Sequence, residues 1–455
     1  MMDKVYLYNS LTRQNELFVP IKKGEVSLYS CGPTAYNYAH IGNLRTYIFN
    51  DLLKRSLLFF GFKVKHTMNI TDVDDRTIKA SIERKISLKK LTKYYEKEFI
   101  SDLKKLNIIL PNRVMRATEN IKEMVKIIKG LMDKGYAYKS SDGIYFSVSK
   151  SKNYGVLAQL EKVKDRKSRI NSDEYEKSDA NDFALWKFRS SEDGGVFWKS
   201  QIGEGRPGWH IECSAMAMES FGPSIDIHTG AVDLIFPHHT NEIAQSEAYT
   251  NRKFVNCWLH GGFLNMKEGK MSKSKGNIVL LKDLVGEQDF SPMEFRFFCL
   301  QTHYRKPLDF SFDNLLSAKN AFENIKRKIL DIKDRKSKGI DKSLIYFEKF
   351  KDGLSDDINV PRALQVLFEI LDDEEFDSKK KIILINKMDE VFGLNLKRLK
   401  REKISIPKEI SDLADRRYSL RKDRKFAEAD IIRNIVKEKG FLIEDREEDY
   451  VIRPI

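Results

Sequence analysis

The chain lacks any run of about 18 or more apolar residues, the length that a membrane-crossing helix requires. Its first residues, Met1-Met2-Asp3-Lys4, carry no apolar signal segment. Both absences lead to the expectation of a cytoplasmic protein with no membrane partner. Cysteine is scarce: Cys31, Cys213, Cys257 and Cys299 are too few and too scattered for a disulfide scaffold. Reduced thiols, a subset of them binding metal, fit better. No internal repeat and no low-complexity linker is visible, which removes repeat architectures. What is present describes a soluble globular protein, with 41% hydrophobic and 33% charged residues. At 455 residues the chain is too long for one core, so about two to four domains are expected. The formal net charge of +14 favours a polyanionic partner, although a basic surface also arises with no partner at all.

Val26 to Cys31 reads as a buried strand running into the turn Gly32-Pro33-Thr34. Apolar residues then recur at helical spacing through Leu44, Ile48, Leu52, Leu53 and Leu57, and Gly61 ends the segment. Val64 to Ile70 reads as a second strand. This strand–helix–strand unit predicts a parallel sheet with ligands above the carboxyl ends of its strands. Residues 116–205 are polar and charged, with a strand-like Gly143 to Val148, and read as an insertion. The rhythm returns at Ile225 to His228, at a helix around Asn241 to Tyr249, and at Asn256 to His260. The expected class is therefore α/β, a Rossmann-like parallel-sheet domain in two halves, 1–115 and 206–265, around that insertion. Residues 266–311 follow as a connecting domain, 312–400 as a helical bundle, and 401–455 as a small C-terminal α+β domain. The last part opens on a charged helix bearing Arg416, Arg417, Arg421, Lys422, Arg424 and Lys425.

Two short polar segments suit phosphate. His40-Ile41-Gly42-Asn43 falls at the start of the first helix, where unpaired N–H groups and the helix dipole favour an anion. Lys270-Met271-Ser272-Lys273-Ser274 sits in the glycine-rich stretch Gly269 to Gly276, read as a mobile loop with few apolar anchors. Either segment alone can arise by chance; as an ordered pair flanking a strand–helix pattern they point to nucleotide activation. A metal site is a separate possibility. His238 and Glu242 are four apart, hence on one helical face, and imidazole and carboxylate are acceptable zinc ligands. Such pairs are also common on solvated helices, and spacing alone does not join Cys31 and Cys213 to this one. Asp72, Asp74 and Asp75 resemble a Ca²⁺ or Mg²⁺ run without the Gly and distal Glu of a full loop, so capping and pocket-wall roles suit them better. Cys257 and Cys299 are read as structural.

The two phosphate segments resemble the signature pair of class I aminoacyl-tRNA synthetases, with Asn43 where the family pattern has histidine. Cys31 to Thr34, Asn69 to Asp75, Gly208 to Ser214 and Phe236 to Ser246 closely resemble the cysteinyl-tRNA synthetase family in order and spacing over nearly the whole chain. That resemblance implies activation of L-cysteine by ATP with Mg²⁺, then transfer to the terminal ribose of a cysteine-specific tRNA. In-line attack on the α-phosphorus needs no covalent enzyme intermediate, so positioned donors and cations supply most of the rate. His40 is implied to donate to the α-phosphate, and Lys270 and Lys273 to neutralise pyrophosphate. Gly42, Asn43, Ser272 and Ser274 belong to the same ATP-binding set, and an amide at Asn43 still donates hydrogen bonds. One Zn²⁺ is implied, held by Cys31, Cys213, His238 and Glu242, with His239 orienting a ligand. Gly32, Thr34, Thr71, Trp209 and Asp233 are implied to surround the amino acid, core packing being the alternative for Trp209. Zinc binds thiolate at about 2.3 Å, whereas a serine hydroxyl is a much poorer ligand. One demanded bond discriminates by about 10⁴–10⁵, against roughly 10–200 for apolar packing, so no editing domain is needed.

The resemblance assigns the region after Phe312 and the C-terminal domain to the tRNA anticodon arm, and the insertion to the acceptor end. Arg416, Arg417, Arg421 and Arg424 suit phosphate contacts, a solvated charged helix being the alternative for each. A monomer is expected. Three rivals stand beside this reading. A methionine or arginine synthetase shares the phosphate motifs without this zinc set. A ligase that passes activated cysteine to an amino sugar lacks a substantial C-terminal region. A non-catalytic RNA-binding paralogue is argued against by the intact Lys270 to Ser274 and by the four candidate zinc ligands.

Overall fold

Five strands build one parallel sheet in the computed structural model, which describes residues 4–160, 182–266, 269–270, 278–401, 406–445 and 449–454. Across the sheet they run Val255–Gly261, Ile225–Ala231, Glu25–Ser30, Lys63–Ile70 and Arg113–Arg116. Read from the last of these, the chain order is 3-2-1-4-5, so it reverses between Glu25–Ser30 and Ile225–Ala231. A crevice outside the carboxyl ends of those two strands is where such sheets bind ligands. The centre of the sheet is buried on both faces, and Val26, Leu28, Tyr29 and Ser30 are all inaccessible, as a covered parallel strand requires.

The helix Ile41–Phe59 leads from the first strand towards Lys63–Ile70. Its start is fixed by a reciprocal capping box: the Asn43 N–H donates to His40 Nδ1, and the His40 N–H to Asn43 Oδ1, each at 3.2 Å. Gly61 follows its end at φ +86°, a conformation that glycine adopts without steric cost. Asp74 caps the next helix, Asp75–Glu83, and Asp72 accepts from Thr118 at 2.9 and 2.6 Å, so both carboxylates have structural partners.

An antiparallel sheet of Ala137–Lys139, Gly143–Phe146, Phe183–Phe188 and Gly205–Pro207 interrupts the parallel one in sequence. Its last strand crosses the expected boundary at 205. Phe146, Phe183 and Trp186 share one core with Ile211, Met216 and Trp258, so this sheet is packed into the same body as the first. Strands Leu264–Met266 and Leu308–Phe310 pair in parallel, and Gly269–Lys270 joins the edge of the former. This corrects the reading of Gly269 and Lys270 as loop residues. Two residues at a sheet edge are held by main-chain pairing, which leaves no apolar signature in the sequence. Ser272, Lys273 and Ser274 lie outside the described residues.

Helices Phe312–Asp334, Ser343–Ser355, Val360–Asp372 and Ser378–Phe392 follow. The chain divides into two compact units, Met1–Arg398 and Leu399–Ile455. The second comprises helices Lys408–Lys422 and Phe426–Glu438 and the hairpin Phe441–Asp445 with Tyr450–Pro454. Its own small core is Ile410, Ala414, Ile432, Val436, Ile443 and Ile452. Among the described residues no helix is long and apolar enough to cross a membrane.

Candidate active site

A cavity of about 370 Å³ opens at the point where the strand order reverses. Cys31, Gly32 and Thr34 reach it from the end of the first strand, Ala231 and Asp233 from the end of the fourth, and His40 and Asn43 from the start of the helix. Gly32 is required by close approach: a Cβ there would stand 1.6 Å from the Asn69 carbonyl oxygen. Its N–H donates to Asn69 Oδ1 at 2.8 Å, and Asn69 in turn donates to the Thr71 hydroxyl at 3.3 Å. Because His40 Nδ1 accepts the Asn43 N–H, a neutral His40 carries its proton on Nε2. Asn43 thus fixes the tautomer that presents a donor. A Cβ on Gly42 would meet the His40 ring at 3.0 and 3.1 Å, so that ring rests on glycine.

Cys31, Cys213, His238 and Glu242 converge beside this cavity, all buried, their donor atoms within 4.8 Å of one another. The sulfurs are 3.9 Å apart, His238 Nε2 is 3.4 Å from Cys213 Sγ, and Glu242 Oε1 is 3.0 Å from His238 Nε2. Around a tetrahedral ion at about 2.3 Å from sulfur and about 2.0–2.1 Å from nitrogen or oxygen, such edges are about 3.8, 3.5 and 3.3 Å. The donors match a metal cradle. Glu242 Oε1 lies near His238 without hydrogen-bonding geometry and, though buried, has no hydrogen-bond partner, an orphaned acceptor that a cation would satisfy. A second grouping, Cys31, His228, His239 and Glu242, meets the same distance limit, but its 4.0 Å separation of His239 Nε2 from Glu242 Oε1 is too long for such an edge.

Burial pushes the Cys31 thiol up, and contact with Cys31 together with burial pushes Cys213 higher still. Burial opposes charge on His238, but Cys213 and Glu242 outweigh it and raise its pKa to about 10. Burial likewise opposes charge on Glu242, and the imidazoles of His228 and His238 prevail, holding its pKa at about 2. A bound cation would displace the proton from His238 and take the sulfurs as thiolates.

Other polar side chains brace the cluster. His238 Nδ1 is 3.0 Å from His210 Nδ1, and Glu242 Oε2 is 3.1 Å from His228 Nε2. His239 Nε2 lies 3.4 Å from Cys31 Sγ, while its Nδ1 is 2.8 Å from His260 Nε2. Thr71 donates to Glu212 at 3.0 Å. Trp209 is half-buried in the cavity wall, stacked on His238 at 4.3 Å with the Arg76 guanidinium 5.8 Å from its ring. It occupies the wall, not the core.

The sequence reading gave no role to His210, His228, His260, Glu212 or Arg76. A signal was available: of eight histidines in the whole chain, five fall between residues 210 and 260. In the C-terminal unit, Arg416 and Arg424 are exposed, and Arg421 Nε lies 3.6 Å from Asp445. Arg417 is different. It is fully buried and bidentate to Asp445 at 2.6 and 2.9 Å, committed to the fold of its unit and not to a phosphate, and it leaves the set of RNA contacts.

Fold and site together define the class, a class I tRNA synthetase: a model of the family described as tRNA synthetases class I (C) catalytic domain matches residues 17–320. Cysteine–tRNA ligases of Brachyspira hyodysenteriae and Leptospira interrogans are each 42% identical to this chain over 98% of both chains, and that of Chlamydia felis is 42% identical over 97% of this chain and 96% of its own. The chain belongs to the cysteine–tRNA ligase family. Among solved structures, Mycobacterium tuberculosis methionyl-tRNA synthetase bound by methionyl-adenylate superposes with a TM-score of 0.59 at 13% identity, covering 82% of this chain and 93% of its own. That likeness is one of fold.

Proposed function

We propose that the chain is a cysteine–tRNA ligase which selects its amino acid through a buried zinc ion. It joins cysteine to ATP as cysteinyl-adenylate with release of pyrophosphate, then passes cysteine to the terminal ribose of its tRNA. The observation that carries the reading is the convergence of Cys31, Cys213, His238 and Glu242 beside a cavity that His40 also lines. Zinc held by those four supplies an acid that prefers a substrate thiol over a serine hydroxyl. His40, with its proton on Nε2, donates to the α-phosphate as charge builds there. Asn43 keeps that tautomer in place. Gly32, Thr34, Thr71, Trp209 and Asp233 position the amino acid, and Lys270 and Lys273 with Ser272 and Ser274 neutralise departing pyrophosphate that Mg²⁺ accompanies.

We take residues 116–205 to meet the tRNA acceptor end, and 312–400 with 401–455 to meet the anticodon arm, through Arg416, Arg421 and Arg424 among others. We take the enzyme to act as a cytoplasmic monomer. The test is ATP–pyrophosphate exchange with cysteine, serine, methionine and arginine on one sample whose zinc is measured. Exchange with cysteine alone, at one zinc per chain, is expected. Full exchange from a metal-free sample ends the zinc proposal, and equal exchange with serine ends the selectivity proposal.

A further inference from the structure

Arg45 stands one turn into the helix Ile41–Phe59, is 4% exposed, and does not line the cavity. Burial pulls its pKa below the usual arginine value, and no carboxylate among the described residues forms an ion pair with it. A buried cation without a counter-ion is costly unless its donors are fully used. Here three hydrogen bonds go to main-chain carbonyls. Nη1 donates to Gly262 at 3.0 Å and to Phe263, and Nη2 donates to Lys306 at 2.5 Å. Gly262 lets the two backbones come so close that one guanidinium spans them: a Cβ there would meet the Lys306 carbonyl oxygen at 2.6 Å.

Phe263 immediately precedes the strand Leu264–Met266, and Gly269–Lys270 pairs on that strand's edge. At the other flank, the Ile41 N–H donates to the Val279 carbonyl at 3.0 Å, and His40 forms a β-bridge with Leu280. The first turn of one helix therefore holds the chain both before and after the second phosphate-gripping segment. Among the described residues, the helix's side-chain hydrogen bonds to the flank before it come from Arg45.

We propose that Arg45 is a positioning residue for adenylation, fixing the separation between His40 and the strand that carries Lys270. The inference rests on reading those two segments as the phosphate grips for ATP. Lysine cannot stand in, because its three donors radiate from one point, whereas the three carbonyls are matched to a planar fork.

The test uses the full-length enzyme with Arg45→Lys, and Arg296→Lys as a matched control. Arg296 is also fully buried and donates to the Leu106 and Phe392 carbonyls at 2.9 and 2.8 Å and to Asp51 at 2.5 Å, away from the cavity. Arg45→Lys should lower kcat of cysteine-dependent exchange by about 10²-fold, the scale of a misplacement near 1 Å, with cysteine KM within about two-fold. Arg296→Lys should lower the melting temperature but keep kcat within about two-fold of the parent, a purely structural outcome. An unchanged kcat in Arg45→Lys, or the same loss of kcat in both variants, overturns the proposal. Should Arg45→Lys not fold, Arg45→Gln, which keeps a two-donor amide, is read in the same way. Absence of cysteine-dependent exchange from the parent enzyme defeats the functional reading itself, whereas exchange intact in the parent with unaltered Arg45→Lys kinetics defeats this inference alone.

Discussion

Cys213 shows how much depends on one side chain. Its sulfur is 3.9 Å from Cys31 and 3.4 Å from His238, and the residue is buried. Cys213→Ala removes one donor from the candidate cradle and leaves His238 buried with one partner fewer. We predict that its zinc falls well below one per chain and that cysteine-dependent exchange drops by about 10²-fold or more, the upper scale for a disturbed metal site. Zinc at the parental level in that variant would falsify the assignment of Cys213 as a ligand. Metal uptake at this site should also release protons, because burial and mutual contact hold the two thiols up and a cation takes them as thiolates. The four candidate ligands were unequally legible in the sequence. His238 and Glu242 declare themselves through a four-residue spacing, whereas Cys31 and Cys213, 182 residues apart, share no spacing signal and were joined only through resemblance.

At the scale of elements, the helix Ile41–Phe59 was legible because its apolar period, its cap and its closing glycine are all local features. What its first turn holds was not legible, since Arg45 bonds to carbonyls more than 200 residues away that no side chain announces. The pairing of Gly269–Lys270 escaped for the same reason. Gly42 belongs to this element and carries its own prediction. A methyl group there would press the His40 ring from 3.0 Å, so the ring must shift by a few tenths of an ångström. Gly42→Ala should therefore lower kcat of exchange by about ten-fold or more while cysteine KM holds, since misplacing a donor by a fraction of an ångström weakens transition-state stabilisation first. A rise in cysteine KM with kcat unaltered would count against His40 acting on phosphate.

The whole molecule comprises two units, and the second depends on Arg417. Side-chain hydrogen bonds from Arg417 hold the Asp445 carboxyl below its ordinary value. The stability from that pair is present above the unfolded aspartate pKa near 3.9 and is lost as the pH falls through the depressed folded value. Asp445 is partly exposed, so solvent weakens the pair, and Arg417→Met should cost about 1–2 kcal/mol, below most of the range of about 1.5–3 kcal/mol for hydrogen bonds to charged groups. We predict that this variant loses tRNA charging on warming before it loses exchange, because all residues proposed here for adenylation lie within Met1–Arg398. Simultaneous loss of both activities would remove the C-terminal unit from the tRNA side. Charge counting in the sequence placed Arg417 with its exposed neighbours, since nothing local distinguishes an arginine that folds inward onto an aspartate 28 residues away.

The placing of the antiparallel sheet between the third and fourth parallel strands has a consequence for biosynthesis. Cys31 leaves the ribosome long before Cys213, His238 and Glu242, so the early half of the sheet emerges with a lone thiol and an unfinished edge. The strand that completes its central pairing, Ile225–Ala231, arrives only after the intervening hairpins have been made. Closure of the candidate ion cradle is therefore a late event in synthesis, and a nascent chain shorter than about 242 residues plus the length hidden in the exit tunnel lacks Glu242, the last of the four candidate ligands.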